Sequence, residues 1–104
     1  MTARVFVSQD DGRFDLSDAR RYGEVVTIFR KDLYADDAAD EMPGVMQRAY
    51  DALADFKSDD YLCLVGSPVY TAVCSYVLGD KGITPVRLLR FDRVEQAYYP
   101  IAIQ

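Results

Sequence analysis

The segment of residues 61–82, YLCLVGSPVYTAVCSYVLGDKG, places a continuous apolar run directly before a second stretch that has almost no polar residues. The run at residues 61–66 has the pattern of a central strand covered on both faces, as strands of parallel sheets are. Residues 68–78 then predict a buried helix, with Ser67 as its N-cap. A buried strand that leads directly into a buried helix is typical of an α/β domain.

The rest of the chain continues this alternation of strands and helices. Residues 3–8 and 24–30 read as strands because β-branched and aromatic residues dominate them. Apolar residues recur at three- and four-residue steps between positions 42 and 56, which predicts a helix. Residues 86–91 and 97–103 flank a polar turn and predict an antiparallel hairpin, with the strand that contains Pro100 at the sheet edge.

These elements predict one α/β domain over residues 1–104. It is expected to be a small Rossmann-like three-layer domain with a mainly parallel sheet of about five strands and a C-terminal antiparallel hairpin.

The composition excludes several kinds of chemistry. The 104 residues contain no histidine, which removes the usual proton shuttle near neutral pH, the commonest zinc ligand and the Ser-His-Asp type of catalysis. A net charge of −5 disfavours nucleic-acid partners. No stretch approaches the roughly 20 apolar residues that span a bilayer, so we expect a cytoplasmic protein with no membrane partner. No cofactor or metal motif is found in the sequence, so we expect neither.

The corner Gly66-Ser67-Pro68 has two interpretations. Ser67 suits the N-cap and Pro68 the first position of the following helix, so the corner serves as a helix cap. The alternative is a nucleotide- or anion-binding site in which Gly66, Ser67, Ser8 and Gln9 surround the helix N-terminus. Neither a G-x-G-x-x-G pattern nor a Walker lysine is present to favour that second interpretation.

The helix at residues 68–78 carries apolar side chains nearly all round, with Thr71 and Ser75 as a narrow polar line. A helix on one face of a sheet usually buries a single apolar stripe. Either another helix or the hairpin covers its second side, or that side is an interface for a second copy or a partner. The residues predicted for such an interface are Tyr70, Cys74, Val77 and Leu78.

Other polar groups have structural interpretations. Acidic residues cluster before the helix of positions 42–56 and are interpreted as a solvated helix start: Asp36, Asp37, Asp40 and Glu41. Cys63 and Cys74 lie in apolar surroundings at a spacing that matches no zinc or redox motif, so we expect buried thiols.

Three hairpin arginines could form a basic, aromatic platform near Tyr98 and Tyr99, of the kind that binds single-stranded nucleic acid. Strand alternation places Arg87 and Arg93 on one face and Arg90 on the other, so a continuous basic face is not expected. Edge-strand charge that discourages aggregation is the favoured interpretation.

Residues 59–73 (DDYLCLVGSPVYTAV) and 86–103 (VRLLRFDRVEQAYYPIAI) resemble a group of short proteins of tailed bacteriophages. That group shares an apolar strand, a Gly-x-Pro corner and a C-terminal strand with an aromatic-Pro pattern, and Ser67 stands where Asp is common. The resemblance implies a phage origin, hence the host cytoplasm, and no particular activity.

The sequence therefore favours a small phage accessory protein that is not an enzyme and acts through protein–protein contact. Its partner is expected to be a second copy or a host factor that it modulates. A nucleotide- or anion-binding domain at the Gly66-Ser67-Pro68 corner is the alternative.

Overall fold

The sheet and its helices are seen in a computed structural model, which describes residues 3–34 and 36–104. The elements in chain order are β1 (Arg4–Gln9), a 3-10 helix (Asp18–Tyr22), β2 (Glu24–Phe29), α1 (Ala38–Ala52), β3 (Tyr61–Cys63), α2 (Pro68–Asp80), β4 (Val86–Asp92) and β5 (Ala97–Ile103). The strands form one sheet in the order β2-β1-β3-β4-β5. Strands β1 to β4 run parallel and β5 is antiparallel to β4, which confirms the predicted α/β fold and its C-terminal hairpin.

Helices α1 and α2 share a core with one face of the sheet. Phe29 of β2 stacks on Tyr70 of α2 with ring centroids 4.2 Å apart. Around this pair lies the larger core cluster, which includes Phe6, Ile28, Val45, Ala49, Leu53, Phe56, Leu62, Val73, Cys74, Val77, Leu78, Val86 and Leu88. Helix α1 therefore covers the second side of α2. A covering helix was one of the interpretations of the apolar surface of α2.

The opposite face of the sheet is covered by the 3-10 helix and the loop before it. Ala19 of the 3-10 helix is fully buried against this face. The core cluster on this side contains Val5, Val7, Leu16, Ala19, Tyr61, Cys63, Val65, Leu89 and Tyr98. One face thus carries two α-helices and the other a single short helix, which gives three layers of unequal thickness.

Helix α1 begins earlier than the apolar pattern predicts. It starts at Ala38, and Asp37 is its N-cap, so the acidic residues occupy the helix start as expected. Pro43 lies inside the helix rather than in its first turn. The missing N–H of Pro43 would have bonded the carbonyl of Ala39 four residues earlier. Ala39 is exposed, so water can satisfy that carbonyl.

The outer edge of β5 is partly closed. The backbone N–H of Tyr98 donates to Asp18 Oδ2 at 2.6 Å, and its carbonyl accepts from Arg21 Nη2 and from the Tyr22 hydroxyl. These groups of Tyr98 therefore point away from β4. Residues two positions apart point the same way in a strand, so Pro100 sits where its missing N–H would also face outward.

Candidate functional site

The four residues predicted to surround the Gly66-Ser67-Pro68 corner do come together. Ser8 and Gln9 end β1 and are fully buried, and the corner follows β3 beside them. Ser67 is the N-cap of α2 and its side chain accepts from the N–H of Val69 at 3.3 Å, which confirms the predicted cap. The corner therefore joins the carboxyl ends of two neighbouring strands.

Three hydrogen-bond donors of the corner are already engaged. The N–H of Ser67 donates to Gln9 Oε1 at 2.6 Å, and Gln9 Nε2 donates to Asp32 Oδ1 at 2.6 Å. The Ser8 hydroxyl donates to the carbonyl of Val65 at 2.7 Å. An anion here would have to replace these bonds and approach the carboxylate of Asp32, so the geometry favours an internal clamp between strand and helix.

Gly66 is where the clamp most needs glycine. Its φ is +87°, a left-handed conformation that other residues rarely adopt, and a Cβ would lie 2.5 Å from both Cβ and Oε1 of Gln9. Because Gly66 has no side chain, the segment that follows β3 can pass close to the end of β1.

The predicted interface residues of α2 are not on the surface. Tyr70 is 4% exposed, and Cys74, Val77 and Leu78 are fully buried between α2, α1 and the sheet. The prediction of a docking surface made of these four side chains is therefore corrected. The physical reason is that α1 packs on the side of α2 that a lone sheet would leave open.

A different row of α2 faces outward. Val69 and Tyr76 are 44% and 63% exposed, and Ala72 is exposed between them. Their spacing of three and four residues puts them on one side of the helix. The sequence pattern could not separate this row from the buried one, because both are apolar.

The hairpin adds a second exposed apolar surface, formed by Ile101 and Ile103 and called here the β5 face. The two side chains are 41% and 50% exposed. They pair across the ladder with Leu88 and Val86, which belong to the core under α2. Directly paired residues lie on the same face of a sheet, so the β5 face lies on the α2 side.

An open crevice lies at the carboxyl ends of β1, β3 and β4, and is called here the carboxyl-edge crevice. Its volume is about 980 Å³. Strands β2 and β3 lie on opposite sides of β1, so the crevice is beside the point where the strand order reverses, the usual ligand position in open α/β sheets. Its lining comprises Arg13, Phe14, Asp15, Leu64, Val65, Gly66, Arg90, Phe91, Asp92, Arg93, Val94, Gln96, Tyr98 and Tyr99.

Two of the three hairpin arginines line this crevice, and the predicted strand alternation does not extend to Arg93. Strand β4 ends at Asp92, so Arg93 belongs to the turn and alternation no longer fixes its direction. Arg90 and Arg93 both line the crevice, whereas Arg87 lies toward the other end of β4 and donates to the Tyr61 hydroxyl at 2.8 Å. The loop residues Arg13 and Phe14 had no signal in the sequence, and only the strand order brings them here.

Within residues 3–34 and 36–104, no group of three or more cysteines or carboxylates is arranged to hold a metal ion. Among the described helices, none has the length and apolar character needed to cross a membrane.

The fold and these surfaces define a small α/β protein with an uncovered hairpin face and an open crevice at the carboxyl edge of its sheet. The chain belongs to a bacteriophage protein family: the model of the family described as Phage Pam3 gp32-like protein matches residues 3–104. This match confirms the resemblance to short phage proteins. Searches of curated proteins and of solved structures found no match.

Proposed function

We propose that this phage-family protein is a non-enzymatic accessory protein that acts through protein–protein contact, and that the partner on its β5 face is a second copy of the chain. The observation that supports the proposal is the exposure of Ile101 and Ile103 side by side, at 41% and 50%. Single exposed apolar residues are ordinary, but adjacent ones on an uncovered sheet face favour a partner.

The mode of contact follows from the edge of β5. Its backbone is occupied at Tyr98 by side chains of the 3-10 helix and is interrupted at Pro100. A partner that extended the sheet would need these groups. A partner that packs on the β5 face needs none of them, so we expect face packing rather than strand addition.

Charge limits where a second copy can bind. The chain carries a net charge of −5, which opposes self-association, so we expect the contact at a surface without charged side chains. Residues 97–103 and 68–79 contain no charged side chain, and the outward row of α2 lies on the same side of the sheet as the β5 face. A two-fold axis places a surface against an identical copy of itself, so any charged residue would face a like charge near the axis. A face without charged residues avoids this repulsion.

The area that a stable dimer needs requires a contact larger than the β5 face alone. A stable dimer buries about 800 Å² on each partner. The total accessible surface of the chain is 6370 Å², so this is roughly an eighth of it. The β5 face together with the row Val69, Ala72 and Tyr76 offers an extended apolar area on one side.

The oligomeric state tests the proposal. Light scattering after gel filtration, over a range from micromolar to sub-millimolar protein, should give the mass of a dimer. Ile101→Lys and Ile103→Lys place a charge in the contact and should each give a folded monomer, with the far-ultraviolet circular dichroism spectrum of the wild type. Val94→Lys is the matched control, since Val94 is 87% exposed in the hairpin turn, and should remain dimeric.

A wild-type mass that stays monomeric over the whole range would overturn the self-association. Dimers that persist in both isoleucine variants would overturn the assignment to the β5 face. Because a host protein could occupy the same face, capture of such a protein by a monomeric wild-type chain would also count against the second copy.

A further inference from the structure

The carboxyl-edge crevice combines positive charge with aromatic side chains at the reversal point of the sheet. We propose that it binds a nucleoside phosphate, with the phosphate held by arginines and the base against aromatic rings. This inference is independent of the contact proposed for the β5 face, and it concerns a different place from the N-terminus of α2.

The charge of the crevice differs from that of the chain. The protein is acidic, yet Arg13, Arg90 and Arg93 all line this one opening. Among the described residues neither Arg90 nor Arg93 has an ion-pair partner, and Arg13 pairs with Asp11 at 2.6 Å. A guanidinium offers paired N–H donors that match the oxygens of a phosphate, so unpaired arginines here favour an anion.

The carboxylates of the crevice are committed elsewhere. Asp15 Oδ1 accepts from the N–H of Ser17 at 3.0 Å and from its hydroxyl at 2.7 Å, and these bonds lower the pKa of the Asp15 carboxyl. Asp92 Oδ1 accepts from the N–H of Val94 at 2.9 Å. Each carboxylate therefore holds its own loop, and among the described residues neither forms an ion pair with Arg90 or Arg93.

Aromatic rings supply the second half of the site. Phe14 and Phe91 are half-buried, and Tyr99 is 36% exposed with its hydroxyl 3.3 Å from Arg90 Nη1. Phe91 is held edge-on by the buried ring of Tyr98, with centroids 5.1 Å apart. A flat base can contact such rings whatever its identity, because every base has a π-face.

Size and net charge favour a mononucleotide over a nucleic-acid strand. The volume of about 980 Å³ lies at the upper end of ordinary small-molecule sites. A nucleic-acid strand would extend beyond the crevice over the rest of the protein surface. The net charge of the protein is −5, so the strand would be repelled there. A ligand with few phosphates keeps its charge next to the arginines.

Calorimetric titration of the full chain tests the site, with ATP, GTP and AMP as probes and inorganic phosphate for comparison. We expect a nucleotide to bind, and Arg90→Gln or Arg93→Gln to raise its Kd by about tenfold or more. Arg87→Gln removes the same charge from the same strand outside the crevice, and should leave the Kd unchanged. Phe14→Ala should weaken nucleotide binding and leave phosphate binding as it was.

Several results would overturn the inference. They are no heat with any nucleotide at millimolar concentration, an equal loss in Arg87→Gln, or tighter binding of a short single-stranded oligonucleotide than of a mononucleotide. Amide shift changes that centre on Ser67 and Val69 would instead place the ligand at the N-terminus of α2. The Ile101→Lys variant should keep nucleotide affinity, so failure of the dimer and failure of this site are separate outcomes.

Discussion

Asp18 accepts the backbone N–H of Tyr98 through Oδ2 at 2.6 Å, although the two residues are 80 positions apart. Arg21 and Tyr22 of the same 3-10 helix donate to the carbonyl of Tyr98. The 3-10 helix thus satisfies the outward groups of Tyr98, at one point of the edge where another strand would otherwise pair. Sheet edges are hazardous when these groups are free, so this short helix protects the hairpin as well as the core.

Asp18→Ala is predicted to reopen that edge. Removing the carboxylate leaves the N–H of Tyr98 without its partner, and a hydrogen bond to a charged group is worth about 1.5–3 kcal/mol. We expect the free energy of urea unfolding to fall by about this amount and thioflavin T-positive aggregation to speed up. Arg20→Ala, at an exposed position of the same helix, is the control, and equal aggregation rates in both variants would contradict the prediction.

Gly66→Ala and Gly82→Ala form a matched pair for backbone strain. Both glycines have positive φ, +87° and +75°, but a Cβ meets Gln9 at Gly66 and open space at Gly82. Gly82→Ala should lower the free energy of unfolding by about 1–2 kcal/mol through strain alone. Gly66→Ala should lose about 1–3 kcal/mol more through overpacking. Similar midpoints in denaturant titrations of the two variants would show that the Gln9 clamp tolerates a side chain.

Asp60 is a buried carboxylate, and its replacement by alanine should be strongly destabilising. Asp60 is 3% exposed and accepts from the N–H groups of Arg4 and Lys57 at 2.8 and 2.9 Å. Its loss leaves these two N–H groups without a partner, and the guanidinium of Arg4 keeps only its polar contacts with Asp55, so we expect about 3 kcal/mol less stability. Asp59→Ala, one residue earlier and exposed, should change stability by less than about 0.5 kcal/mol. Chemical denaturation of both variants gives the comparison directly.

The two cysteines are predicted to be unreactive in the native protein. Burial raises the pKa of Cys63 and of Cys74 to about 12, so both thiols stay protonated at pH 8. They belong to the core clusters on opposite faces of the sheet, which keeps them from forming a disulfide. Thiol-reactive dye at pH 8 should label neither cysteine in buffer and both in concentrated urea. Fast labelling of the native chain would contradict this burial.

The order of strands and helices could be predicted because it depends on local patterns. The apolar run before Gly66, the cap at Ser67 and the edge position of the Pro100 strand are each set by a few neighbouring residues. Pro43 has the residue type that favours a first helical turn, yet α1 begins at Ala38 after Asp37, so Pro43 lies in the second turn. A proline at the sixth helical position removes one backbone hydrogen bond, and the exposure of Ala39 lets water bind the freed carbonyl.

The contents of the surfaces could not be predicted, because they depend on contacts between distant residues. An apolar helix gives no signal about which side faces α1, so Tyr70 was expected outside and Tyr76 was overlooked. The bond between Gln9 and Ser67 spans 58 positions. Likewise, Arg13 joins Arg90 in the crevice only through the strand order.

The position of β1 has a consequence for synthesis on the ribosome. The first strand to be made lies between β2 and β3, so one of its sides stays unpaired until residues 61–63 have emerged. At about 5–20 residues per second this takes a matter of seconds, during which Val5, Phe6 and Val7 have no cover on that side. The nascent chain therefore passes through a stage in which one edge of β1 is open to chaperones and to neighbouring nascent chains.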